Sequence, residues 1–247
     1  SEVLMCLDFI YRCYEVFGFD DIRLELSTRP EKFVGEIEDW DRSEATLQQA
    51  LEKSEKEWKL NPGDGAFYGP KIDVHVRDSL KRSWQLGTIQ VDFNLPKRFD
   101  LTYVDKDNTE KRPVMLHRAI FGSIERFFGI LIEQWAGQFP VWLAPVQTKI
   151  LPVAERHNEH ASMLAAQLDA VGLRAEADVR NERIGKKIRE AAITEKVPYQ
   201  LIVGDDEIAA GTVSVRGRGE GDAADLGEIP FTEFQQKLQN EAVTPGP

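Results

Sequence analysis

From Thr148 onward, segments with a two-residue apolar period alternate with segments of helical period, and no other feature restricts the fold as much. TKILPV, LRAEADV, YQLIVGD and GTVSVRG read as strands, whereas NEHASMLAAQLDAVG, NERIGKKIREAAITEK and FTEFQQKLQNEA read as helices. Strands separated by helices of this length join through right-handed crossovers, which predicts a small α/β domain on a largely parallel sheet. Ala161, Leu164, Leu168 and Val171 would be the apolar stripe of its first helix. The acidic, glycine-rich stretch 217–229 is expected to be a flexible loop, and 243–247 a tail.

The composition changes at Ala144-Pro145, which predicts two domains, residues 1–143 and 144–247. The first half opens with an amphipathic helix over 1–17, striped by Val3, Leu7, Ile10, Tyr14 and Phe17 and stopped by Gly18. FDDIRLELS reads as a strand and residues 39–53 as a charged helix. IDVHVRD, WQLGTIQVDF and DLTYVD are three further strands, implying an α+β arrangement in which the opening helix packs on an antiparallel sheet. From Arg118 to Trp135 the period is helical: Ile120, Ile124, Phe127, Phe128, Leu131 and Trp135 would form a buried face. Gly122 would then lie inside a helix, where glycine is about 1 kcal/mol worse than alanine. Arg126 would lie over the gap it leaves, an arrangement suited to a phosphate.

A net charge of −11 excludes a protein that coats nucleic acid through bulk charge, so any such contact is confined to one face. No apolar run approaches the ~20 residues that span a bilayer, and no basic-then-apolar leader opens the chain, so no membrane contact and a cytoplasmic location are expected. Without an initial Met, and with Ser1 inside a helical pattern, the chain reads as a piece of something longer. Cys6 and Cys13 lie seven residues apart on one helix, about 10 Å between Cα atoms, too far for a disulfide.

Three stretches carry chemistry. FYGPK, residues 67–71, places a Gly-Pro turn directly before a strand and leaves Tyr68 and Lys71 projecting from a sheet edge. In WQLGTIQVDF, residues 84–93, Gln90, Asp92 and Thr88 share one face. Gln85 has the opposite parity unless a bulge at Gly87 re-aims it. Glutamines in a Val/Ile-rich strand need polar partners, which makes a polar ligand the natural occupant. The third stretch is the helix with Gly122 and Arg126, preceded by His117. In the second half, RNERIGKKIRE carries five basic side chains, and Arg216 with Arg218 in the next hairpin would extend it into a basic surface for RNA. His75 and the pair His157 and His160 have no converging third ligand, so no metal is expected there.

These residues resemble the threonyl-tRNA synthetase family from about Ser1 to Ala242. FYGPK, WQLGTIQVDF and MLHRAIFGSIERF stand in that family's order, and the last resembles the third signature motif of class II aminoacyl-tRNA synthetases, whose arginine binds ATP. The resemblance implies part of an antiparallel-sheet class II catalytic domain followed by a small α/β anticodon-binding domain. It implies that Arg126, Lys71 and Gln85 act in catalysis and, with Thr88, bind ATP and its Mg²⁺. It further implies Tyr68 and Gln90 at threonine, His117 as one zinc ligand, and Asn181, Arg189, Glu207 and Arg216 on the anticodon of a threonine tRNA. The activity implied is ATP-dependent ligation of threonine to tRNA through an adenylate, by a homodimer.

The family's first two signature motifs, its cysteine and second histidine ligands for zinc, and its editing domain have no counterpart in these residues. Two readings follow: a fragment of the ligase, inactive alone, or a stand-alone RNA-binding module on an inactive synthetase remnant. The intact set Tyr68, Lys71, Gln85, Gln90, His117 and Arg126 favours the ligase, because a scaffold has no need of it.

Overall fold

Two compact units divide at Gln134/Trp135 in this computed structural model, which describes residues 2–218 and 224–245. The first contains α1 (Glu2–Val16), β1 (Ile22–Ser27), α2 (Ile37–Lys53), β2 (Trp58–Asn61), β3 (Lys71–Arg77) and β4 (Ser83–Asp92). It continues with α3 (Asn94–Arg98), β5 (Tyr103–Val104), β6 (Glu110–Lys111), β7 (Met115–Ala119) and α4 (Ile124–Trp135). The main sheet has the order β2-β1-β3-β4-β7, antiparallel except for the β1–β2 pair.

Strand alternation gives this sheet two unlike faces. Leu24 and Leu26 of β1, Ile72, Val74 and Val76 of β3, and Ile89 and Val91 of β4 are all buried on one face. Helix α1 covers that face, its Tyr14 hydroxyl reaching the Ile120 carbonyl at 2.5 Å. The other face carries Ser27, Lys71, Asp73, Thr88, Gln90 and His117, and it is largely polar, with Met115 and Ala119 of β7 as apolar members.

Four expectations for this unit are corrected. Residues 115–119 are an edge strand paired with β4, so the helix begins at Ile124 rather than Arg118. Gly122 lies in the connecting turn at φ +62°, which no α-helix accommodates. In α4 the buried residues are Phe127, Ile130 and Leu131, while Ile124 and Phe128 are exposed. Residues 100–105 add no strand to the main sheet: Tyr103–Val104 pairs only with Glu110–Lys111 in a separate hairpin. Trp58–Asn61 takes an edge instead, parallel to β1, which alternation alone did not reveal.

The second unit contains β8 (Thr148–Pro152), a 3₁₀ turn at Glu155–His157, α5 (Asn158–Asp169), β9 (Ala175–Ala177), and α6 (Ile184–Arg189) running into a π-helical turn at Glu190–Thr194. Then come β10 (Tyr199–Val203), α7 (Asp205–Ala210), β11 (Thr212–Gly217), β12 (Ala224–Pro230) and α8 (Phe231–Glu241). The sheet order is β12-β11-β10-β8-β9, with β9, β8 and β10 parallel and β11 and β12 antiparallel. Ile150, Leu201, Val203, Val213 and Val215 pack against Ala161, Leu164 and Leu168 of α5 and Phe234 and Leu238 of α8.

The largely parallel expectation thus holds for three strands of five. Residues 224–229, expected to be loop, belong to β12, whose backbone bonds to β11 outweigh an exposed and glycine-containing sequence; residues 219–223 lie outside the described residues. Val171 is exposed just beyond α5. The short α7 was not anticipated from the pattern. Cys6 and Cys13 are free thiols.

Candidate functional site

The polar sheet face is assembled by two local devices. The first is the turn before β3: a Cβ on Gly69 would stand 1.7 Å from the Val91 carbonyl oxygen, so only glycine lets the chain pass there. That close approach seats Tyr68 beside β4, where its hydroxyl donates to the Gln90 side-chain carbonyl. The second is a β-bulge. Val74 pairs with Gly87 but His75 with Gln85, so Leu86 is the extra residue. The bulge turns Gln85 onto the face of Lys71 and Asp73, as its sequence conditionally allowed.

Buried Asp73 sits at the centre of this face. It accepts from the Ser27 hydroxyl at 2.8 Å, from the Lys71 ammonium at 2.5 Å and from the Gln85 amide. Further along, Asp92 is fully buried; one of its oxygens accepts the backbone amides of Asn94 and Leu95, opening α3. The other lies 2.9 Å from His117 Nε2, so His117 is held by a carboxylate while its ring remains half-exposed. Burial first, and then the negative charge of Asp92, push the Tyr68 phenol upward against the opposing effect of Lys71. Tyr68 is therefore a protonated donor at neutral pH.

Arg126, in the first turn of α4, lies against the Trp84–Gln85 segment of β4. A Cβ on Gly122 would lie 3.1 Å from the Leu86 carbonyl oxygen, so the turn is seated directly on the bulge. Ser123 caps the helix, its hydroxyl accepting the Arg126 amide at 3.2 Å. The Arg126 guanidinium lies 5.7 Å from the centre of the Trp84 ring and donates to the Gln85 carbonyl at 3.4 Å. The structure thus brings Tyr68, Lys71, Gln85, Thr88, Gln90 and His117 together along one side of the sheet, and sets Arg126 against the Trp84–Gln85 segment of β4.

The second unit is less convergent. Glu207 on α7 accepts the Ser214 hydroxyl at 2.7 Å and the Gly204 amide at 2.9 Å. Burial opposes its ionisation, but these hydrogen bonds outweigh burial and hold the carboxyl below the usual range. Ser214 and Arg216 are two apart on β11, so Glu207 and Arg216 share a side of that strand. Asn181 precedes α6 and lines a shallow pocket with Asn158 and Arg180, and Arg189 closes the same helix; both are exposed.

The expected basic surface is smaller than the sequence run. Lys187 is 3% exposed and donates to the Asp178 carbonyl at 2.7 Å. Arg180 is engaged by Asp178 and Glu190, and Lys186 by Glu182. Arg218 donates to the carbonyls of Gln138, Phe139 and Lys196, which makes it a structural staple. Among the described residues Arg183, Arg189 and Arg216 make no ion pair.

Residues 1–135 match the family described as the class II core domain of tRNA synthetases (G, H, P, S and T), and residues 141–241 match the anticodon-binding domain family. The chain belongs to the class II aminoacyl-tRNA synthetases. It is 52% identical over 238 residues to a threonine–tRNA ligase of Acetivibrio thermocellus, and 51% identical over 241 residues to that of Alkalilimnicola ehrlichii. These alignments take in 96% and 98% of the chain but only 37% of each relative, so the chain spans little more than a third of their length. Among solved structures it resembles the RNA binding domain of threonyl-tRNA synthetase from Cryptosporidium parvum, with TM-score 0.91 and 38% identity, over 99% of this chain and 60% of that one. A putative threonyl-tRNA synthetase of Aeropyrum pernix matches 97% of this chain with 62% of its own, at TM-score 0.72 and 26% identity.

For a class II synthetase fragment, the fold and family expectations hold. The sequence reading missed buried Asp73 behind the site residues, and placed Asp92 on the Gln90 face without giving it a role, although a signal existed for each. Asp73 alternates with Lys71 and His75 in KIDVHVR, and Asp92 shares parity with Gln90. Nothing local showed that three strands would aim donors at Asp73, because those partners come from β1 and β4.

Proposed function

We propose that this chain is the part of a threonine–tRNA ligase that holds ATP and threonine on its first unit and reads the anticodon of a threonine tRNA with its second. The observation that carries this reading is the polar sheet face bearing Tyr68, Lys71, Gln85, Thr88, Gln90 and His117, opposite a largely apolar face. A polar face of this kind matches a polar ligand, since buried polar groups need partners. Thr88 Oγ1 is buried with no hydrogen-bond partner among the described residues, the kind of group a ligand completes. Residues up to Gln134 are assigned to the catalytic core. The anticodon-binding domain is assigned from about residue 144, with 135–143 as its lead-in.

In the first step a threonine carboxylate oxygen bonds to the α-phosphorus of ATP while the bond to pyrophosphate breaks. In the second, a ribose hydroxyl of the tRNA attacks the acyl carbon and AMP leaves. Lys71 and Arg126 neutralise phosphate oxygens by charge-assisted hydrogen bonds, and Gln85 and Thr88 add neutral ones. Most of the protein's contribution is position, not covalent chemistry. Mg²⁺ bound with ATP supplies further charge neutralisation at the phosphates. Tyr68 occupies the carbonyl of Gln90, leaving the Gln90 amide to donate to threonine.

His117 fits one ligand position of a zinc site, because Asp92 engages one ring nitrogen and leaves the other for a metal. Zinc would act there as a Lewis acid toward the amino and hydroxyl groups of threonine. No group of three or more potential ligands occurs among the described residues, so further ligands come from the longer protein. The same longer protein is assigned the homodimeric state. Among the described residues no helix is long and apolar enough to cross a membrane, in keeping with work in the cytoplasm.

The test is Arg126→Ala in the full-length ligase. Threonine-dependent ATP–pyrophosphate exchange should be lost with the melting temperature unchanged, since Arg126 is exposed and opens no cavity. Normal exchange kinetics in that variant would refute the phosphate role.

A further inference from the structure

We infer that Asp73 is a positioning residue of the adenylation site, whose carboxylate fixes where the Lys71 ammonium and the Gln85 amide point before ATP arrives. This rests on the reading above, in which those two groups touch ATP.

The geometry is specific. Asp73 is 1% exposed, and side chains from three strands converge on it: Ser27 from β1, Lys71 from its own strand and Gln85 from β4. Ser27 and Lys71 share one carboxylate oxygen, and Gln85 takes the other. Gln85 can do so only because the bulge at Leu86 turns it to this face. The Lys71 side chain is 12% exposed, and its other acidic neighbour, Asp64, is 3.5 Å away on the surface.

Stability alone does not account for such a pair. Two charges withdrawn from water lose hydration that their attraction roughly repays, and an apolar pair of similar volume is often as stable. Charges kept on the floor of a binding face gain something else, namely fixed donors that need no reorganisation when substrate charge develops. A lysine on four rotatable bonds and a glutamine on three are otherwise flexible. Asp73 holds both in one orientation and compensates the Lys71 charge. The pair therefore aims N–H groups at the ligand, while the carboxylate offsets part of the attraction that the lysine charge has for it.

That last point separates positioning from simple binding. Asp73→Asn removes a negative charge and leaves the site one unit more positive, so ATP is not repelled, but the two donors lose their anchor. In the full-length ligase we expect kcat for ATP–pyrophosphate exchange to fall roughly tenfold or more, with KM for ATP not raised. Ser27→Ala removes one of the three donors while keeping the carboxylate, and should give a smaller fall in kcat with the same split. It serves the test even if Asp73→Asn folds poorly. Either variant leaving kcat within twofold of wild type, or raising KM for ATP at unchanged kcat, would overturn the inference. Lys71→Ala and Gln85→Ala are measured alongside. If both impair ATP kinetics while Asp73→Asn is silent, positioning by Asp73 fails alone; if both are silent too, the ATP reading itself has failed.

Discussion

Gly122→Ala separates two accounts of the stretch before α4 by the sign of its effect. Were Gly122 inside a helix, alanine would stabilise by about 1 kcal/mol. In the structure it sits at φ +62°, where a Cβ meets the carbonyl oxygen of Leu86 at 3.1 Å. The left-handed conformation costs a non-glycine residue about 1–2 kcal/mol, and the tight contact must be relieved by shifting backbone. Together these give a destabilisation of about 2 kcal/mol, or roughly 6–10 °C in melting temperature for a unit of this size. Gly129 is the internal control. It lies within α4, and a Cβ there would meet no atom within 4 Å, so Gly129→Ala should stabilise by about 0.5–1 kcal/mol. Thermal unfolding followed by hydrogen–deuterium exchange of peptides from residues 2–134 reads this unit separately. A neutral or stabilising Gly122→Ala, or equal losses at both glycines, would refute the seating of the turn on the bulge.

The 247-residue chain alone should show no threonine-dependent ATP–pyrophosphate exchange, since it carries one candidate zinc ligand and one candidate phosphate-binding arginine on α4; turnover near that of an ordinary ligase would sink this. Lys187→Ala should lower the stability of the second unit by about 2–3 kcal/mol through the stranded Asp178 carbonyl, whereas Lys186→Ala should stay within about 0.5 kcal/mol, both by urea unfolding. Arg189→Ala should narrow the gap between threonine and non-cognate tRNAs by about 1–3 kcal/mol, while Arg183→Ala should weaken all tRNAs alike with a shallower salt slope; filter binding at two salt concentrations distinguishes them. The Arg180 side chain holds Asp178 below the usual carboxylate range, and hydrogen bonds hold Glu207 there despite burial. Both carboxyls bind protons less readily folded than unfolded. Their stabilisation is therefore complete above the unfolded values near pH ~4 and is lost as pH falls through the lower folded ones, which acid titration of the second unit's unfolding measures.

Local pattern by itself determined much of this protein. The strand–helix alternation from Thr148, the stripe of α1 and the alternation of β3 and β4 are short-range consequences of where apolar side chains recur, so they could be counted along the chain. The motifs around Tyr68, Gln85 and Arg126 were legible because Gly-Pro turns and polar residues in apolar strands break those patterns. What tertiary structure alone decided were matters of pairing. Residues 115–119 have apolar content that suits a helix, but the open edge of β4 supplied backbone partners that made them a strand. Ala224–Pro230 became a strand for the same reason beside β11. Lys187 reads as one more cation in a basic run, yet the Asp178 carbonyl withdrew it from the surface. Asp73 has an ordinary place in the alternation of β3. Its importance comes from Ser27, Lys71 and Gln85 meeting on it, and two of those arrive from other strands. Periodicity reports which face a side chain takes, whereas hydrogen-bond partners distant in sequence are chosen only when the strands are laid side by side.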